Sequence, residues 1–447
     1  IEEDGSYGEG FGYFKYPIGV LSDFFHTLPE KECRVLVRNT PLRGTAEWYA
    51  YRYFFTVRNG KTLPLRTVFC DDNFTGAPTA SSCLLLARML HDPVAAWIGR
   101  KFSSDPEKWW ISADWKNLLY DAPESRSPAE QNLPLVRAFR NGETFIRSSW
   151  DDNATVFALY GALPTRTAQN HQRTERNSFN LGAFGVPVVM SSGYTNRFTG
   201  PLHEYTSSIR SANTIQIDNS EQRWWWSLPK PTIPETELLL CREGKLADVL
   251  MNEGAKAYKE NMKSACRTVV HLKKTGTFVL IDTLISADGP HRYTSRLHLN
   301  NLEKDTQLEQ RNANTWIYRH PELEMELFFD ADCKFLVKRR NNDLIINPKF
   351  PVRDLERQEK ERGNVWTLEF FNPERREKVR YFTVLQPKKK ETLPLAISRK
   401  GSLLTVGTTV IDCSGPGIRI RSGSSSEHFL PGMRDSASKK VPSLQEK

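Results

Sequence analysis

The residues best suited to chemistry sit in three polar segments. The first, DGSYGEGFGYFKY at residues 4–16, packs carboxylates and phenols into a turn-rich stretch. Gly5, Gly8, Gly10 and Gly12 fall within eight residues, so the backbone turns more tightly than a plain helix allows. Such a loop ahead of a helix can present phenols to a sugar; a helix-start turn with packed aromatics explains the same residues. Asp4 and Glu9 also admit a glycoside hydrolase, whose two acids stand about 5–9.5 Å apart. The second segment, NHQRTERNSFNL at 170–181, carries His171, a side chain that can exchange protons near neutral pH. A surface histidine, or one that merely supports a neighbour, fits the same context. The third, Ser211 to Asp218 followed by Glu221 and Gln222, reads by itself as an edge strand and a turn. Trp224, Trp225 and Trp226 could stack on sugar, although consecutive strand residues alternate faces and at least one should pack inward. There is no nucleophile elbow, phosphate loop or HExxH. His291 and His298, seven apart on a strand-like segment, point to opposite faces, which is poor geometry for a shared metal.

Two kinds of element must position these segments. Before about residue 140 the apolar spacing is helical: Ile18, Leu21, Phe25 and Leu28; then Trp48, Tyr51 and Phe55; then roughly Ala80 to His91, ending before Asp92-Pro93; then 109–120. After it come at least eleven short apolar runs, from TFIRSSW to LLTVGTTVID, divided by turns such as 274–276, Asn341-Asn342 and Lys400-Gly401. That pattern predicts antiparallel sheets packed as a sandwich. Residues 245–265 read as a short helical or irregular insertion. The end of the chain, rich in Ser, Gly and Lys, reads as flexible.

Composition bounds the rest. The chain has 447 residues, enough for two to four domains, with 39% hydrophobic and 26% charged residues, as in ordinary globular proteins. No apolar run approaches the ~18 residues of a membrane span. Seven widely spaced cysteines without a CxxC argue against a disulfide scaffold or a cysteine zinc site. The formal charge of +9 has a location: residues 334–400 hold 18 Lys+Arg and 9 Asp+Glu, and the remainder is balanced. Such a stretch attracts polyanions or simply forms a solvated, mixed-charge surface.

Taken together, the segments resemble the heparinase II/III-like polysaccharide lyases. The DGxxxEGxxY phrase of that family is matched from Asp4-Gly5 through Glu9-Gly10 to Tyr13. Its RSSW phrase is matched from Phe139 to Gly161, and its HxHxDxNSFxLxAFG phrase in part from His171 to Gly185. DSGY appears as Ser191-Ser192-Gly193-Tyr194, and HNTI as Ala212-Asn213-Thr214-Ile215. The resemblance implies a multi-domain α and β protein: the C-terminal helices of an incomplete α/α toroid over 1–138, a large antiparallel β-sandwich over 139–420, and a flexible tail over 421–447. It implies β-elimination on a uronate-containing, anionic and potentially sulfated polysaccharide, with Tyr13 and His171 as catalytic residues. Glu9, Tyr16, Arg173, Asn177, Tyr194 and Asn213 follow as substrate-binding residues. A C5-epimerase or a non-catalytic glycan-binding relative shares part of this pattern.

Three positions depart from the family. Arg173, Ser191 and Ala212 stand where zinc-binding members have His, Asp and His, so no zinc and no other cofactor is expected. Arg173 is expected to supply a fixed positive charge there, held by Glu175 or Glu221. The toroid helices that precede the DGxxxEGxxY phrase in the family are absent from this sequence, which resembles the C-terminal two-thirds of a longer enzyme. Nucleic acid and membrane insertion are not expected, and the family resemblance points to a periplasmic or secreted setting.

Overall fold

Among the described residues, helical spacing near the start of the chain gives five helices: α1 (Phe11–His26), α2 (Glu30–Arg38), α3 (Thr45–Arg52), α4 (Ala80–Leu90) and α5 (Pro93–Ser103). The computed structural model describes every residue except 59–60, 74–79, 104–123, 162–170, 172, 196–198, 224–235, 348, 351–353 and 434–447. The expected helix over 109–120 and the three consecutive tryptophans lie outside the described residues. In α1, Phe11, Phe14, Ile18 and Phe25 share one buried face. Pro17 lies within that helix and has no N–H for the carbonyl of Tyr13, a loss of about 3 kcal/mol. Burying four apolar side chains, at about 1.5–3 kcal/mol each, outweighs it. Helix α5 starts where Asp92 Oδ1 accepts the backbone N–H of Val94 at 2.8 Å and of Ala95 at 3.1 Å. Phe55 does not continue α3. The aromatic, β-branched run after Arg52 favours extended backbone, and Tyr53–Arg58 pairs antiparallel with Lys61–Arg66.

Beyond the helices the described residues form three further antiparallel sheets. A nine-stranded sheet runs Leu336–Ile345, Gly363–Phe371, Tyr293–Asn300, Val186–Val189, Ser178–Ala183, Val156–Tyr160, Glu143–Arg147 and Val136–Ala138, with Ile215–Ile217 also paired to Tyr293–Asn300. An eight-stranded sheet runs Gln307–Gln310, Thr315–Arg319, Glu324–Ala331, Lys378–Lys388, Thr277–Ser286, Met262–Leu272, Ala247–Glu253 and Glu237–Arg242. Five strands from Ile397–Lys400 to Ser425–Phe429 follow one another in a third sheet.

The two-residue period of the strands decides how these pieces stack. Phe145, Val156, Ala158 and Tyr160 join the core under the helices, while their neighbours Ile146, Phe157 and Leu159 join a core shared with the eight-stranded sheet. In that second sheet Leu250, Val269 and Phe278 face the shared core; Val249, Val270 and Val279 face a third core with the five-stranded sheet. The central strands are apolar on both faces because both faces are covered.

Four sequence expectations change. Residues 245–265 hold the strand Ala247–Glu253, a 3₁₀ turn at Ala255–Ala257 and the start of the strand Met262–Leu272, in place of a helical or irregular insertion. Strand residues buried on both sides lose the alternation that identifies a strand. Asn341 and Asn342 lie within Leu336–Ile345, opposite Trp366 and Val365, and make no turn. The nine-stranded sheet begins at Val136, ahead of the boundary drawn at 139, and ordered strands continue to Phe429, past the tail drawn from 421. All seven cysteines are free thiols. Among the described residues no helix is long and apolar enough to cross a membrane.

One ion cluster gives the fold a pH dependence. His291 Nδ1 meets Asp218 at 2.7 Å, its Nε2 meets Asp288 at 2.8 Å, and Arg375 also bonds Asp218. Burial opposes the protonated ring, but the hydrogen bonds and charges of both aspartates outweigh it and raise the His291 pKa above the usual 6.5. A raised histidine pKa contributes stability that is fully present below ~6.5 and is lost as pH climbs through the folded value. The stability lost in His291→Ala should therefore be larger at mildly acidic pH than at alkaline pH, as read by urea unfolding across that range. An equal loss at both ends would contradict this account.

Candidate active site

The first turn of α1 lies against the loop at Phe69–Asp72 because two glycines leave room for it. A Cβ on Gly10, whose φ is 83°, would stand 2.9 Å from the Phe69 carbonyl oxygen, and one on Gly12 would stand 2.9 Å from that of Asp71. This close approach explains Gly10 and Gly12 and sets Tyr13 beside the loop that contains His171.

Tyr13 and His171 stack nearly parallel, with ring centroids 3.4 Å apart at 13°. The Tyr13 hydroxyl shares a 3.1 Å hydrogen bond with the Tyr194 hydroxyl. Burial is the main cause that pushes the Tyr13 phenol well above the usual tyrosine range, and the bond to Tyr194 and the charge of Asp71 add to it. Tyr13 is thus a proton donor throughout the neutral range. His171 Nδ1 lies 3.1 Å from Asp71 Oδ2. A carboxylate only accepts, so Nδ1 carries the hydrogen of this bond and Nε2 is the ring nitrogen left for a substrate.

Asp71 joins the site together. Besides His171 it accepts from Arg173 Nε at 2.9 Å, and its backbone N–H donates to the His171 carbonyl at 3.0 Å. Arg173 Nη1 donates to the Gly193 carbonyl at 2.6 Å, and its guanidinium lies 5.8 Å from the Tyr194 ring centre. The backbone N–H of Tyr194 donates to Asn73 Oδ1 at 3.0 Å. Next to this, Glu175 accepts the Cys70 backbone N–H. Burial pushes Glu175 up to about 7 against the pull of Arg173, that backbone bond and Arg176.

The loop carrying Asp71 is fixed from below by a buried ion network. Asp72 Oδ1 accepts from Arg66 at 2.6 Å and Asp72 Oδ2 from Arg52 at 3.2 Å; Arg52 also meets Glu143 at 3.2 Å. Cys70 adopts φ 62°, an uncommon conformation for a residue with a side chain. The ion network, the Glu175 carboxylate and the His171 carbonyl together hold it.

The structure brings Tyr13, His171, Arg173 and Tyr194 together. Tyr16 is exposed at the rim, its ring centre 6.3 Å from that of Tyr13. Glu9 accepts from the Tyr7 hydroxyl at 2.8 Å. Asp4 accepts from Ser6 and from the Arg140 backbone, an anchoring role that does not suit one half of a hydrolytic acid pair. Arg173 is held by Asp71, not by Glu175 or Glu221; Glu221 instead accepts from Thr174 and the Ile209 N–H. Asn177 and Asn213 are not at the site surface. Asn177 is buried, with its amide bonded to Ala265 O and Asn252. Asn213 is fully buried: its Nδ2 donates to Phe179 O and Met190 O, and its Oδ1 accepts from the N–H and ring of His298. Arg267, paired bidentately with Asp282, donates to the carbonyls of both asparagines. Both residues clamp the two large sheets together.

Ser191 and Ala212 are buried, and among the described residues no three His, Cys, Asp or Glu side chains converge as a metal set. Asp71 and Asn73, the partners sequence reasoning missed, lie in the polar run Asp71-Asp72-Asn73. A run of two acids and an amide straight after Val68-Phe69-Cys70 is the one local signal that marks them.

A helical layer over stacked antiparallel sheets, with a Tyr–His pair where they meet, defines a class of α and β protein. Residues 133–391 match the family described as heparinase II/III-like, C-terminal, and the chain belongs to that family. A crystal structure of heparinase III superposes with a TM-score of 0.66 at 16% identity, covering 96% of this chain and 60% of that one. The heparan sulfate lyase HepC from Pedobacter heparinus gives 0.63 at 13% identity, covering 96% and 59%. These likenesses concern the fold, and the chain spans about 60% of the length of either protein. No curated protein matches it in sequence.

Proposed function

We propose that the protein is a polysaccharide lyase that cleaves a uronate-containing anionic polysaccharide by β-elimination. The observation that carries this reading is the stacked pair of Tyr13 and His171, with Asp71 bonded to Nδ1 of the imidazole. In this reading His171 Nε2 removes the C5 proton of the uronate. The C4–O4 bond breaks, a C4=C5 double bond forms, and Tyr13 gives its proton to the departing O4. Asp71 positions His171 and holds Arg173, whose charge stands where metal-binding members of the family place an ion. The helices α1 to α5 are read as the end of an α/α toroid and the stacked sheets as its sandwich. Family habit favours an exported protein.

The test is a screen of uronate polysaccharides for ultraviolet absorbance from the unsaturated product, run with the protein and with His171→Ala. Absorbance from the unaltered protein, reduced at least a hundredfold in the variant, supports the reading. Undiminished absorbance in the variant would remove His171 from the mechanism. Glycan binding without any unsaturated product would make this a binding protein, and C5 inversion without cleavage an epimerase.

A further inference from the structure

The basic stretch at 334–400 is not used by the Tyr13–His171 site, and part of it lines a cleft of its own. The cleft has a volume of about 680 Å³ and is walled by Glu309, Gln310, Trp316 and the consecutive residues Val337, Lys338, Arg339 and Arg340. It opens where the edge strand of the nine-stranded sheet, Leu336–Ile345, meets the last two strands of the eight-stranded sheet, Gln307–Gln310 and Thr315–Arg319. It shares no residue with the catalytic pair.

Its charge is uneven. Lys338 and Arg339 have no carboxylate partner among the described residues. Lys338 lies 5.4 Å from the Phe371 ring centre, and Arg339 lies 5.5 Å from that of Trp366 while donating to the Leu308 carbonyl at 2.6 Å. Arg340 shares Glu369 with Arg296. The one carboxylate in the lining, Glu309, is paired with Arg319. The cleft thus presents cations and an amide beside Trp316, which is itself almost wholly buried in the core. Lys and Arg on an edge strand also deter edge-to-edge pairing. That role does not require the cleft.

We propose that this cleft is a second, non-catalytic binding site for an anionic polysaccharide chain. The choice of ligand rests on the reading of the protein as acting on such glycans; the cleft and its charge do not. Bound there, a polymer would be retained beside the protein while the catalytic pair works on another stretch of it. The groups recognised are sulfate esters or carboxylates along a sugar chain, both met by point charges and guanidinium forks.

The experiment measures binding by the Tyr13→Phe protein, so that turnover does not consume the probe. Dextran sulfate supplies the sulfate arm and polyglucuronate the carboxylate arm. Single-stranded DNA of matched charge is the control. Lys338→Gln/Arg339→Gln should weaken binding at least tenfold in one or both glycan arms. The milder Lys338→Gln, which leaves the Arg339–Leu308 bond intact, should weaken it at least threefold with an unchanged melting temperature. Both variants, placed in the otherwise unaltered protein, should retain its rate on short oligosaccharides. Unchanged glycan binding in Lys338→Gln would overturn the proposal, as would equal or tighter binding of DNA. Absence of any binding to the unaltered cleft would also overturn it, without bearing on product formation by the Tyr13–His171 site.

Discussion

Tyr13→Phe is expected to lower the rate of unsaturated-product formation by about 10²–10⁴-fold, the range contributed by a positioned proton donor. The substitution removes one oxygen. The ring that stacks on His171 at 3.4 Å remains, as does the helix that carries it. Folding should therefore be nearly unchanged, and a thermal melt within a few degrees of the parent would separate chemistry from stability. Because burial, the Tyr194 bond and the charge of Asp71 all raise the Tyr13 pKa, the phenol keeps its proton above the ordinary value of about 10. The parent rate should not fall on the alkaline side until the pH exceeds that value. A decline that begins near neutrality would mean that another group donates the proton. A Phe variant within threefold of the parent would take Tyr13 out of the mechanism.

Asp72→Ala is expected to destabilise the helical layer by about 3–5 kcal/mol, the usual loss when one member of a buried ion network is removed. Asp72 is fully buried and meets both Arg52 and Arg66, which are themselves almost wholly excluded from water. Without it Arg66 loses the Asp72 carboxylate, and Arg52 is left with Glu143 and the Thr67 carbonyl. The effect should reach the chemistry as well. Asp72 anchors the turn in which Asp71 holds His171 and Arg173, so the rate should fall although Asp72 touches no substrate. Asp72→Asn keeps the shape and an acceptor for the Asn73 N–H, and should lose less on both counts. Urea unfolding followed by tryptophan fluorescence, with product formation measured alongside, tests both. An Ala variant as stable as the parent would show that the network is not needed.

The sequence phrases located the pair but not the groups that orient it. Tyr13 and His171 stand in phrases that resemble those of the family, so both are singled out from the sequence alone. Asp71 is not visible in this way, because its turn looks like any solvated polar turn. Its partners lie 100 and 102 residues further along, and no local pattern carries that distance. Asn177 and Asn213 fail in the opposite sense. Both sit in recognisable phrases and look like ligands for a sugar, yet their amides are consumed by backbone groups and by His298. In that setting burial pushes His298 down to about 3 and holds it neutral.

What the amino-acid order determined by itself was the helical start, the long succession of strands, the family phrases and the place of the positive charge. These are local quantities: apolar period, turn residues and composition. Only the tertiary structure decided which face each strand buries, that Arg173 answers to Asp71, that two asparagines are clamps, and that three basic residues line a cleft. The physical reason is that hydrogen bonds, ion pairs and burial depend on distances between segments. Those distances exist only once the helices lie on the nine-stranded sheet and the sheets lie on one another.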